Sequence, residues 1–127
     1  MRSWIASNQR MMVTFDRPTL SASMIASRSM VEEWLSSART DGAIALIDKE
    51  EDWTSFDCVA KLRNLTRVKR VGHAGTLDPL ATGLLILCFG KATKDIDQFQ
   101  DADKTYDVIV KLGATTATDD RGADEVP

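Results

Sequence analysis

Residues 72–85 read Gly72-His73-Ala74-Gly75-Thr76-Leu77-Asp78-Pro79-Leu80-Ala81-Thr82-Gly83-Leu84-Leu85, placing one carboxylate between an expected glycine-punctuated loop that carries the only histidine, His73, and an apolar run. The chemistry on offer is that of a single acid whose direction is fixed by the chain. Gly72, Gly75 and Gly83 open backbone angles closed to other residues and admit a close backbone or ligand. Pro79 fixes its own φ and biases Asp78 toward extended geometry. A positioned acid follows. The plainer alternative is an Asp-Pro turn in which the carboxylate accepts a nearby backbone N–H.

The elements that must hold this acid are legible on both sides of it. Residues 84–89 are a continuous apolar run, as expected of a strand covered on both faces, so Asp78 falls in the loop entering a core strand. Upstream, residues 43–47 form a five-residue apolar run of strand length. A charged loop follows, and Thr54 with Asp57 three residues on gives a capping-box start for a helix. Phe56, Val59, Ala60, Leu62 and Leu65 are its expected apolar face. Lys61, Arg63, Arg67, Lys69 and Arg70 then make a basic stretch without an intervening acid, either a solvated face or a contact for RNA phosphates. Beyond Gly90, residues 92–100 read as a short helix with Ile96 and Phe99 inward. Residues 104–112 alternate, with Tyr106, Val108, Val110 and Leu112 on one side, and predict a further strand. Residues 116–125 are polar and turn-rich.

The 127 residues are 43% hydrophobic and 28% charged, room for one core. A net charge of −3 supplies no global positive field, so any nucleic-acid surface must be local. Cys58 and Cys88 are far apart and lack a second histidine, which suggests no metal site and no disulfide; both read as small core residues in a reducing compartment. No stretch approaches the roughly 20 apolar residues of a membrane helix. Residues 1–29 show no sustained periodicity and are expected to be loose. Their arginines and serines, with Asp16 the single acid, suit a leader or an organellar targeting segment. Val31, Trp34, Leu35 and Ala38 mark a short amphipathic helix over 31–38. The expected organisation is a leader over 1–40 and one α+β unit over 41–127, with helices flanking a mixed or antiparallel sheet.

The string from Gly72 to Gly83 resembles the G-H-x-G-x-L-D-P-x-A-T-G signature of the TruB family of pseudouridine synthases, with every fixed position met. The resemblance runs from about Gly42 to the end of the chain. It implies the N-terminal half of a pseudouridine synthase catalytic domain, acting on a T-loop uridine of tRNA. That reaction detaches uracil, turns it and rejoins it through carbon, so no cofactor and no metal is expected. It needs a carboxylate that attacks or electrostatically holds an electron-poor centre. The resemblance assigns this role to Asp78. It further implies that His73 packs into the RNA where the base is flipped out, and that Tyr106, in a K-x-Y segment with Lys104, stacks on the target uracil.

Asp48 and Lys49 match the family's strand-end D-K pair and are expected to shape the site, with Gly75, Thr76 and Leu77 beside the acid. Where the family continues Pro-x-Gly, this chain has Glu50-Glu51-Asp52, three carboxylates expected to weaken RNA binding and to bend the loop differently. The family's cationic partner for the acid comes from the second half of its domain; within this chain Arg67 and Arg70 are the candidates, with Lys69 between them. Leu80-Ala81-Thr82 fits the bacterial tRNA branch, so no guide RNA is expected. The expected partner is the tRNA T-arm, with self-association through an exposed sheet edge, in the cytoplasm or an organelle. The competing readings are an RNA-binding fragment without turnover and a glycoside hydrolase, for which a second acid has no recognisable position.

Overall fold

The computed structural model describes residues 10–16, 21–23 and 28–126, and the remainder of the expected leader lies outside them. Among the described residues five strands make one mixed sheet: β1 (Arg10–Asp16), β2 (Ser21–Ser23), β3 (Ala43–Lys49), β4 (Val71–Ala74) and β5 (Gly83–Phe89), in spatial order β2-β1-β3-β5-β4. β1 runs parallel to β3, and every other pairing is antiparallel. The architecture is α+β, as the element pattern implied.

Two helices cover one face. α1 (Arg28–Thr40) is longer than the expected 31–38, with Trp34 and Ala38 buried. α2 (Ser55–Thr66) starts on the expected capping box: Thr54 accepts from the Asp57 amide, and the Asp57 carboxylate accepts from the Thr54 amide. Trp34, Ala38, Cys58, Val59 and Leu62 from these helices pack against Ala43, Ala45 and Ile47 of β3, Val71 of β4, and Leu85, Leu87 and Phe89 of β5. Trp34 meets Phe89 edge to face at 5.0 Å, and its indole N–H donates to the Ile44 carbonyl at 3.1 Å. Alternation along the strands sends the other residues of β5 to the opposite face. There a 3-10 helix (Gly90–Asp95) and α3 (Ile96–Gln100) pack, in place of the single helix expected over 92–100. Gly72 is needed at that contact, because a Cβ there would lie 2.8 Å from Cδ1 of Ile96.

Four expectations are corrected. Residues 10–16 and 21–23, expected to be loose, are strands: β3 supplies ladder groups to β1, which local periodicity does not encode. Of the expected apolar face of α2, Val59 and Leu62 are buried, with Ser55, Cys58 and Thr66 beside them, whereas Phe56, Ala60 and Leu65 are exposed. His73 stands on strand β4, not in a loop, its neighbours paired with β5 despite the glycine before it. Residues 104–112 form no strand, and Tyr106, Val108, Ile109, Val110 and Leu112 are all exposed. Their alternation specifies a face to be covered, and among the described residues no strand pairs with them.

Candidate active site

The loop from Gly75 to Thr82 joins β4 to β5, and three sets of polar contacts hold it. Gly75 turns the chain at φ +88°, a conformation costly for residues with a Cβ. Ser55, the first residue of α2, donates from Oγ to the Leu77 carbonyl at 3.2 Å and accepts from the Leu77 amide at 2.9 Å. The Asp52 amide donates to the Pro79 carbonyl at 2.7 Å. Lys49, 0% exposed, closes the set from below: its ammonium donates to the carbonyls of Glu50 at 3.0 Å, Trp53 at 2.6 Å and Pro79 at 3.3 Å. Burial lowers the Lys49 pKa, opposed by the fields of Cys58, Asp52, Asp78 and Asp57. A buried cation satisfied by carbonyls is thus the bolt between the loop after β3 and the loop carrying the acid.

Asp78 itself is exposed, so this framework grips the backbone on both sides of it and leaves the carboxylate to solvent. Leu77 and Leu80, flanking Asp78 and Pro79, line an open cleft of about 730 Å3 together with Ala74, Leu84, Ile86, Phe99 and Tyr106. Thr105 lines the same cleft. Lys104, also on its rim, donates to the carbonyls of Phe99, Gln100 and Ala102, which satisfies the C-terminal end of α3 and anchors the start of the Tyr106 segment. Tyr106 is 61% exposed. Asp78 is not itself among the lining residues, and the carboxylates that line the cleft are Asp103 and Asp107. An apolar basin with a phenol can take a planar, partly polar ring.

Other expected site residues fall elsewhere. His73 pairs across the sheet with Leu87, which is buried under the helices, whereas Ala74 pairs with Ile86 on the cleft side. Cross-strand partners share a face, so His73 belongs to the face opposite the cleft. Its Nδ1 lies 2.6 Å from the Gly75 carbonyl oxygen, fixing the turn that leads to the acid. A single cleft lined by both imidazole and phenol is therefore not what the fold builds. Asp48 is exposed and pairs with Leu84 on the cleft face, while its neighbour Lys49 faces the core. Thr76 is exposed on the loop. Arg67 and Lys69 line a different basin, at the end of α2. Arg70 lines neither; its carbonyl accepts from the Gly90 amide at 2.8 Å.

The sequence reading missed Ser55, whose role was hidden because Thr54 beside it carried the obvious capping signal. Also missed was the contact of the 116–125 segment with the site. Arg121 pairs with Glu51, and a Cβ on Gly122 would stand 3.4 Å from Leu80 Cδ1. One of the three unexpected acids is thus answered by a cation. Asp52 takes the left-handed conformation, φ +66°, at the place where the signature has glycine.

Residues 63–126, just over half of the chain, match the family model for the TruB family pseudouridylate synthase (N terminal domain). The chain belongs to the TruB family. Its similarity to curated relatives extends further upstream than that match. A protein of Chlorobium chlorochromatii named tRNA pseudouridine synthase B is 57% identical over 83 residues, covering 62% of this chain and 32% of that protein. The protein of that name from Chlorobium phaeovibrioides is 49% identical over 89 residues, 67% of this chain and 37% of its own length. That from Ralstonia pickettii is 52% identical over 77 residues, 61% of this chain and 24% of its own. The chain thus corresponds to roughly a third or less of these TruB relatives. Among the described residues no helix is long and apolar enough to cross a membrane.

Proposed function

We propose that this chain carries the catalytic carboxylate of a tRNA pseudouridine synthase acting on a T-loop uridine, position 55, with Asp78 as the reacting group. The observation that carries the reading is the contrast at one loop: backbone held by Ser55, Asp52 and buried Lys49, carboxylate left exposed between Leu77 and Leu80, which line the Tyr106 cleft. A rigid backbone under an exposed acid pre-organises a nucleophile without requiring the acid to move. In this reading the uridine is extruded from the T-loop, its ring enters the cleft against Tyr106, and the carboxylate attacks or stabilises the electron-poor centre as the glycosidic bond breaks. His73 acts from the other face by fixing the Gly75 turn, with Thr76 and Leu77 carrying the chain to the acid. Asp48 stands on the cleft face. Arg67, Lys69 and Arg70 contact RNA phosphates.

Release of tritium from T-loop uridine labelled at carbon 5 tests the proposal. Product is expected from the unmutated chain and none from Asp78→Asn, whose exposed site predicts a stability within about 0.5 kcal/mol of the parent. Equal release from both chains would remove Asp78 from the mechanism. A binding-only reading has one observation in its favour: residues 104–112, which carry Tyr106, are uncovered on both sides. It predicts RNA binding by both chains and release from neither.

A further inference from the structure

Arg67 sits where a glycine would cost less. It caps the C-terminal end of α2 in the left-handed conformation, φ 59° and ψ 17°, its amide donating to the Arg63 carbonyl at 3.0 Å. Helices commonly end in this conformation, usually with glycine, because a Cβ makes it unfavourable by about 1 kcal/mol. Strain retained at one residue points to something its side chain does. Around it Ala60, Arg63, Asn64, Val68 and Lys69 line an open basin of about 610 Å3, separate from the Tyr106 cleft. Arg63 donates to the Val71 carbonyl at 3.3 Å. Among the described residues the ion pairs are Arg28–Glu32, Lys111–Glu125 and Arg121–Glu51, so no carboxylate neutralises Arg63, Arg67 or Lys69. In a chain of net charge −3 this is a local island of positive charge.

Interaction of cations with the carbonyl end of α2 explains Arg63, which lies in its last turn. It leaves Arg67 and Lys69, beyond the helix, unexplained. The basin and the Asp78 loop lie at opposite ends of β4, whose four residues span about 13 Å. Neither Arg67 nor Lys69 lines the cleft to which Leu77 and Leu80, on either side of the acid, contribute. Exposed and outside the cleft, they offer phosphates a separate contact.

We infer that Arg63, Arg67 and Lys69 form a second RNA-backbone site that grips phosphates away from the flipped base and sets affinity without touching the chemical step. This rests on the proposed RNA substrate and goes beyond it, in separating a gripping surface from the reacting cleft. Guanidinium groups suit phosphate through paired N–H donors, and Asn64 adds a neutral one.

Arg67→Gly is the decisive variant because it removes the cation while relieving the strain. Binding of a fluorescein-labelled T-arm stem-loop RNA is measured by anisotropy across a salt series, beside thermal melting. The expected result is a melting temperature equal to or above the parent, RNA affinity several-fold lower at low salt, and a log K against log salt slope shallower by about 0.7–0.9. Arg67→Gly with Lys69→Ser should roughly double the slope change. Unchanged affinity and slope in a folded variant, or no RNA binding by the parent, overturns the site. Running the series in Asp78→Asn separates the two claims. A slope change without any turnover from the parent upholds the gripping surface and sinks the catalytic reading; Asp78-dependent turnover with no slope change does the reverse.

Discussion

Lys49 gives up all solvent contact to hold three carbonyls, so its loss is felt by two loops at once. Lys49→Met keeps the volume and withdraws the donor, and should lower stability by about 3 kcal/mol in urea unfolding. Asp52 offers a test of conformation alone. Asp52→Ala and Asp52→Gly both delete the carboxylate, but only glycine suits φ +66°, so the alanine variant should be the less stable by about 1 kcal/mol. The buried thiols set an alkaline limit. Burial, together with the fields of Asp57 and Asp95, pushes Cys58 and Cys88 each up to about 11 from the ordinary 9.0, against a lowering influence of Lys49 on Cys58. The folded chain keeps thiol protons that the unfolded chain releases, so stability is full below pH 9 and falls as pH rises to about 11. The lowered Lys49 pKa works in the opposite sense. Melting curves of Cys58→Ala with Cys88→Ala should therefore fall less steeply over that range than those of the parent.

At the scale of elements, the site depends on the first turn of α2 meeting the loop between β4 and β5. Ser55→Ala removes both contacts with Leu77 while leaving the Thr54 cap, and should destabilise by about 1–2 kcal/mol. Hydrogen exchange at the Leu77 amide should accelerate more than at α2 amides; uniform acceleration would mean that Ser55 supports the helix and not the loop. The helix start was legible because a capping box is a local pattern: Thr54 and Asp57 find each other within one turn. Its buried face was legible only in part. Counting Phe56, Ala60 and Leu65 as core assumed that every apolar residue points inward, whereas the sheet takes Cys58, Val59 and Leu62 and leaves those three wet.

Across the whole molecule, the uncovered 104–112 segment is the chief liability. Its exposed Val108, Ile109, Val110 and Leu112 form a strand-like apolar run, and such runs invite pairing with another chain. Sedimentation should show concentration-dependent association, reduced in Ile109→Lys with Val110→Lys; an unchanged profile in that variant would place the contact elsewhere.

What the sequence alone determined lies where the informative distance is short. The Gly72–Gly83 string identified the family, the residues around Asp78 placed the acid in a loop before a core strand, and apolar runs marked β3 and β5. Only the tertiary structure decided the rest. It put His73 on the face away from Tyr106, sank Lys49 beneath the acid's loop, recruited residues 10–16 into the sheet and, among the described residues, left 104–112 outside it. Spacing along a chain encodes period and turn, but the face a side chain occupies and the water it loses depend on strand register and on which segments are there to cover it.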